Sequence, residues 1–352
     1  MTTPRIAVAR RAWRPLSLPL AAVLALVALP AAACDLCAIY ACLEARETGR
    51  GLYTGFSEQY SDFSTLRRDG DEVANPAGQH LRSAISQGVV GYQFSRRLGV
   101  QANLPYIDRD FRRAEEGAAV EDRERGLGDA VLLAHWRAFE SYDADRTVIW
   151  NLVGGVKLPT GSSDRLAEEA AEGHEEEPDG HAAATTSGVR GVSSPHGEHA
   201  HGPASGVHGH DVALGSGSLD GLLGTTGQLG WKRLFVQFSG QYALRREGDH
   251  GYRYGDDLTW SVTPGFFAWL GHERSLSLGL NLAGEEKDRD ELDGEPADDT
   301  AISALYAGPA IAYSRGGRFF AELELDLPLR QETTELQIVP DSRVRLGLTA
   351  RF

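Results

Sequence analysis

The chain has 352 residues, 41 of them Gly and only one Met, and a formal net charge of -15. That acidic balance argues against a binder of nucleic-acid phosphates, which needs a basic face. After residue 30 no run approaches the ~20 apolar residues of a membrane-spanning helix.

Residues 1–33 read as a secretory signal peptide. Arg5, Arg10, Arg11 and Arg14 make the basic start, Leu16 to Leu29 the apolar run, and Ala31-Ala32-Ala33 the small residues before cleavage. A lone membrane anchor fits less well, because the run is short and contains Pro19. The mature chain is then exported and begins at Cys34, in a periplasmic segment 34–50.

All three Cys, Cys34, Cys37 and Cys42, lie in that segment. Export implies an oxidising compartment, where stray thiols are a liability. A disulfide between two of them, a thiolate site for Cu or Zn and lipidation of Cys34 all stay open. Covalent haem needs a His after Cys-x-x-Cys, and Ala38 stands there.

From residue 51 onward, segments of about ten alternating residues recur, a length suited to tilted membrane-spanning strands. Twelve are read, near 51–62, 81–94, 98–109, 127–139, 146–158, 220–231, 234–245, 257–270, 275–286, 301–313, 318–330 and 343–352. In the eleventh, Phe319, Ala321, Leu323, Leu325, Leu327 and Leu329 share one face, opposite Glu322, Glu324, Asp326 and Arg330. In the eighth, Leu258 to Leu270 alternate on one face through Trp260, Val262, Pro264, Phe266 and Ala268. Carboxylates at alternate positions suit a wet lumen rather than lipid or a packed core. The second segment is ambiguous in register. In the last, Val344, Leu346, Leu348, Ala350 and Phe352 alternate with Arg345, Gly347, Thr349 and Arg351, and the strand should pair with segments 1 and 11.

Links alternate between short and long, as in outer-membrane barrels with short periplasmic turns. The fold expected is therefore all-β: a transmembrane antiparallel β-barrel of about twelve strands over 51–352, in the Gram-negative outer membrane. An even strand count places both termini in the periplasm. Lipid, lipopolysaccharide and the barrel assembly machinery are its expected partners, with no nucleic acid.

Inward positions predicted to line the lumen are Gln101, Asn103, Asp129, His135, Arg137, Asn151, Lys157, Gln237, Gln241, Glu322, Glu324 and Asp326. No catalytic constellation is visible and no enzyme is expected: Ser216-Gly-Ser218 shows no evident base.

The stretch 162–215 breaks the strand rhythm. Rich in Gly, Ser, Ala, Glu and His, it reads as a disordered outer loop. It holds His174, His181, His196, His199, His201, His208 and His210. Imidazoles at such spacing suit Cu, Zn or Ni. The run Asp288 to Asp299 departs from the calcium-loop pattern and reads as a solvated outer loop.

Three motifs carry a family resemblance: Gly126-Leu-Gly-Asp-Ala130, Lys157-Leu-Pro-Thr-Gly161 and Leu214-Gly-Ser-Gly-Ser-Leu-Asp220. In this order and spacing, over residues 85 to 352, the chain resembles outer-membrane barrels grouped as transporters of the phenol-degradation "MetA-pathway" type. The resemblance implies a channel for hydrophobic or aromatic compounds. The His-rich insertion and the Cys cluster depart from the family and point toward metal. The expected function is a channel for small solutes linked to transition-metal handling, with no cofactor required. The alternatives are a non-conducting surface protein that binds metal or a partner, and an aromatic-compound transporter.

Overall fold

The computed structural model describes residues 50–115, 118–175 and 204–352. Residues 1–49, which include the segment read as a signal peptide and the three Cys, and residues 116–117 and 176–203 lie outside the described residues. Twelve antiparallel strands follow one another around a closed barrel. They are β1 (Gly51–Arg68), β2 (His80–Gln93), β3 (Leu98–Glu115), β4 (Ala130–Tyr142), β5 (Arg146–Leu158), β6 (Asp220–Trp231), β7 (Leu234–Leu244), β8 (Asp257–Leu270), β9 (Arg274–Lys287), β10 (Ile302–Arg315), β11 (Phe319–Thr333) and β12 (Leu336–Arg351). β12 pairs with β11 and returns to β1, with Tyr53 opposite Arg351 and Arg68 opposite Leu336. A barrel closed this way leaves no sheet edge, which lipid cannot satisfy.

The period-2 pattern puts apolar side chains outside. Leu276 and Leu280 on β9, Leu323 and Leu327 on β11, and Val344 and Leu346 on β12 are all exposed. Aromatic residues gather toward the short-turn end, including Trp136, Phe139, Tyr142, Trp231, Trp269 and Phe352. Tyr60 and Tyr106 stand toward the other end. This is the arrangement expected where aromatic girdles border an apolar band about 25 Å tall. A charge near the middle of that band, as in Leu280→Arg, is expected to cost about 2–4 kcal/mol. Urea unfolding from lipid vesicles measures it.

Two strands depart from simple alternation. A bulge in β8 between Phe267 and Trp269 takes Ala268 out of the ladder, and Trp269 turns outward at 65% exposure. In β11, Arg330 pairs with Leu305 while Pro328 pairs with Tyr306, an irregularity that carries Arg330 to the outer side rather than beside Asp326. Extra residues in one strand of a pair shift every following side chain.

Both ends of the 162–215 stretch are ordered, contrary to the expectation of disorder. Helix α1 (Leu166–Glu175) and the short helix α2 (Gly209–Val212) fold into the long-loop end of the barrel. Leu166, Val207, Val212 and Ala213 are fully buried there. Val207 and Val212 pack with Phe63, Leu66, Leu81, Phe111, Leu336 and Ile338. Leu166 and Leu214 pack with Ile85, Ile107, Val131, Leu133, Val153 and Leu222, all buried on the strand wall. The mouth therefore carries an apolar plug, built from the few aliphatic residues of an otherwise polar insertion. Burial of such side chains contributes roughly 1.5–3 kcal/mol each, enough to order a segment whose composition alone would not fold.

Candidate functional site

The plug is latched by a buried charge network beneath it. Lys157 near the end of β5 is 1% exposed. Its ammonium donates to Asp129 Oδ2 at 2.6 Å, to Ser216 Oγ and to the Ser218 carbonyl at 3.2 Å, and lies 3.1 Å from Asp220. Asp129 in turn accepts the backbone N–H groups of Thr160 (3.1 Å), Gly161 (2.9 Å) and Ser216 (3.1 Å). Arg245 continues the chain to Asp220 at 3.1 Å and Asp257 at 2.7 Å. Buried charges persist only when paired and hydrogen-bonded in this way.

The three family-like motifs meet at this network, which gives their glycines a physical meaning. A Cβ on Gly161 would stand 2.7 Å from the Leu214 carbonyl oxygen and 3.0 Å from Gly128. Three backbones cross there, and only Gly permits the approach. Gly161→Ala is expected to loosen the latch by about 1–3 kcal/mol, a typical overpacking cost. Limited proteolysis of the segment 204–218 reads it.

The same geometry corrects the view of Ser216 and Ser218 as lacking a basic neighbour. Lys157 is beside both, and the carboxylates of Asp129 and Asp220 lie 2.6 and 3.1 Å from the same nitrogen.

Above the latch, more bonds hold the plug to the wall. Arg109 donates to the Ala213 carbonyl at 2.5 Å, Tyr254 to that of His210 at 2.9 Å, and Gln79 to that of Ala204 at 2.9 Å. The backbone N–H of Ile338 donates to Gly206 at 2.9 Å.

His208 and His210 sit on this plug. Of the predicted metal residues, His181, His196, His199, His201, Cys34, Cys37 and Cys42, and the His174 side chain, lie outside the described residues. His210 is buried and donates from Nδ1 toward Glu169 of α1 at 3.0 Å, while its Nε2 lies 3.5 Å from Asp211 Oδ1. Burial would lower its pKa, but Asp211, Glu169 and Asp290 outweigh burial and raise it to about 10. Burial would likewise raise Glu169, but His210 and His208 bring it down to about 2. The pocket is thus built to hold positive charge. His208 Nδ1 faces Asp299 at 3.4 Å and makes no hydrogen bond among the described residues.

Asp290 corrects another expectation. In place of a solvated loop residue it is fully buried, accepting from Tyr252 Oη at 2.5 Å and from the Gly255 N–H at 2.7 Å, with Lys287 at 2.7 Å.

Below the plug the interior divides into unlike walls. On β6 to β8 polar side chains, Thr226, Ser239, Gln241, Thr259 and Ser261, border a cavity of about 80 Å³ that Glu285 and Arg345 face. On β9 to β12 long charged chains pair across strands. Arg343 holds Glu285 bidentately and stacks over Tyr306 at 5.1 Å, and Arg345 reaches Glu324 at 2.9 Å and Asp326 at 2.7 Å.

Lumen predictions thus fall into four groups. Asp129 and Lys157 form the latch. Gln241, Glu324 and Asp326 border the cavity or pair with its arginine. Gln101, Asn103, His135, Arg137 and Asn151 hydrogen-bond along the opposite wall, with His135 to Gln93 at 2.8 Å, Gln101 to Asn103 at 2.6 Å, and Arg137 to Asn151 at 3.2 Å. Gln237 and Glu322 are partly exposed on β7 and β11, Glu322 against Gly347. Sequence reasoning missed Glu285, Arg343 and Arg245, which alternation alone would have placed inward. A second cavity of about 250 Å³ opens at the short-turn end, bordered by Tyr53, Gln228, Phe267, Arg318 and Arg351.

No protein-family model and no curated protein sequence matches the chain. Among solved structures it is similar to an outer membrane channel from Pseudomonas putida F1, with 14% identity and a TM-score of 0.59 over 89% of this chain and 99% of that one. It also aligns with the transport unit of the autotransporter AIDA-I from Escherichia coli (8% identity, TM-score 0.42, 88% and 93% covered). The translocator domain of the autotransporter NalP from Neisseria meningitidis aligns at 14% identity and a TM-score of 0.39, with 88% and 91% covered. At this identity the likeness to the Pseudomonas putida channel is one of fold alone: the chain is a closed, twelve-stranded antiparallel β-barrel.

Proposed function

We propose that this protein is a gated channel of the Gram-negative outer membrane that passes small polar solutes. The observation that carries the reading is the divided interior: a hydroxyl-rich wall faces paired charges across a cavity, beneath a plug latched by Lys157. Neutral hydroxyls and pre-paired ions offer many weak contacts and no strong trap, as passage requires. The apolar outer band with its aromatic borders supports a membrane setting. Gly51 and Phe352 stand at the short-turn end, which this reading sets in the periplasm, with lipopolysaccharide around the long-loop end. Such a barrel reaches its membrane through a signal peptide and the assembly machinery. The motifs resembling the "MetA-pathway" barrels belong to the latch and speak to gating, not cargo.

Single-channel recording in planar bilayers tests this. The wild type is expected to be closed for most of the record, and Lys157→Met to conduct in longer bursts. If both are silent although folded, the protein is a non-conducting surface barrel and the channel reading fails. A second reading, uptake linked to a transition metal, is favoured by His208 and His210 on the plug, and recording with and without Zn2+ addresses it.

A further inference from the structure

We infer that His208, His210 and Asp211 form a binding site for one borderline divalent cation, of the class of Zn2+ or Ni2+, built into the plug. The donor atoms of these three residues lie within 4.8 Å of one another. His210 Nε2 and Asp211 Oδ1 are 3.5 Å apart, close to the spacing of neighbouring ligands about a tetrahedral ion with bonds near ~2.0–2.1 Å.

The surroundings match what such a site needs beyond its ligands. A ligating imidazole is usually oriented by a carboxylate on its other nitrogen. Glu169 occupies that place on His210 Nδ1 at 3.0 Å, and the same oxygen accepts the His210 backbone N–H at 2.8 Å. Asp299 faces His208 Nδ1 at 3.4 Å. The Asp211 carboxylate is itself fixed, because its second oxygen accepts the His208 backbone N–H at 3.0 Å. The His208 nitrogen without a hydrogen bond among the described residues is this same Nδ1. Two imidazoles with one carboxylate favour Zn2+, Ni2+ or Cu2+ over the hard ions Mg2+ and Ca2+. With three protein ligands a fourth position stays open to water or an exchanging group.

The site joins separate pieces of the mouth. His208, His210 and Asp211 lie at the start of α2, Glu169 on α1, and Asp299 on the link between β9 and β10. Cation binding therefore ties the plug together and holds it docked. Binding does not depend on whether the barrel conducts, so this inference and the channel reading stand or fall separately.

Isothermal titration with Zn2+, and absorption of Co2+ as its probe, are carried out on the full chain folded in detergent. The protein carries His174, His181, His196, His199 and His201 replaced by Ser, and its thiols are alkylated, so that ions held elsewhere in the insertion or by Cys34, Cys37 and Cys42 do not contribute. One equivalent of Zn2+ is expected to bind, with tetrahedral Co2+ bands and no competition from Mg2+. His208→Ala or Asp211→Asn should abolish those bands. Glu169→Gln, which alters only the orienting carboxylate, should weaken binding roughly 10–100-fold. Heat-modifiable migration of each variant on gels verifies the barrel. No Zn2+ bound by the five-Ser protein, or binding unchanged by both His208→Ala and Asp211→Asn, would overturn the inference.

Discussion

Lys157→Met is expected to unlatch the plug while leaving the barrel standing. Removing the ammonium strands Asp129 and Asp220 in a buried place, although Asp220 keeps Arg245 and Asp129 keeps three backbone donors. Breaking a buried pair from one side costs about 3–5 kcal/mol. The loss falls mainly on docking, because Asp129 and Ser216 join strand ends to the inserted segment. A docking equilibrium weakened by that amount changes by a factor of about 10² to 5 × 10³. Proteolysis within 204–218 and the open fraction in planar bilayers should both rise. Asp129→Asn combined with Lys157→Met should recover part of the docking, because no carboxylate is then left against a missing cation. If the double variant is no better docked than Lys157→Met alone, the latch is not electrostatic.

The second large effect belongs to the barrel wall. Arg343 and Glu285 are 1% and 3% exposed and face each other across the interior. Glu285→Ala leaves the guanidinium buried over Tyr306 without its carboxylate, at an expected cost of about 3–5 kcal/mol. Replacing both, as Arg343→Met with Glu285→Met, should be close to neutral, because desolvation of the pair is removed along with the attraction. Urea unfolding in detergent followed by tryptophan fluorescence separates the outcomes. The single variant lowers the midpoint strongly and the double restores it. Equal losses in both would mean that side-chain packing, not charge pairing, supports this wall.

Strand existence was readable from the chain because period-2 alternation is strong wherever one face meets lipid and the other meets polar groups. β5, β6 and β8 begin and end where the pattern places them. β2 was ambiguous for a reason now visible. Ile85 and Val89 point inward, the first against the plug and the second against Tyr53, while Val90 and Tyr92 point outward, so both faces carry apolar side chains. β12 begins at Leu336, seven residues before the segment read from the sequence, because Leu336, Ile338 and Val339 are buried at the mouth and break alternation. The plug itself was hidden by composition. Its order comes from a cavity supplied by distant strands, which a local reading of Gly, Ser, Ala and His does not contain. Alternation also gives a residue's face but not its height, so Lys157 read as pore lining when it is a latch.

The plug's first described residues have a consequence for the order of assembly. Ala204 and Gly206 bond to Gln79 and Ile338, and Val207 packs on Phe63, Leu66, Leu336 and Ile338. These partners lie on β1, on β12 and just before β2, so this piece of plug sits across the junction of the first and last strands. Every other barrel pairing joins strands consecutive in the chain, whereas this one closes a loop of nearly the whole barrel. Pairing at such sequence separation is the slow, entropically costly step. The receptor for residues 204–207 exists only after that step is complete. Docking of the insertion is therefore a late event in biogenesis, and a docked plug marks a barrel whose ring has already shut.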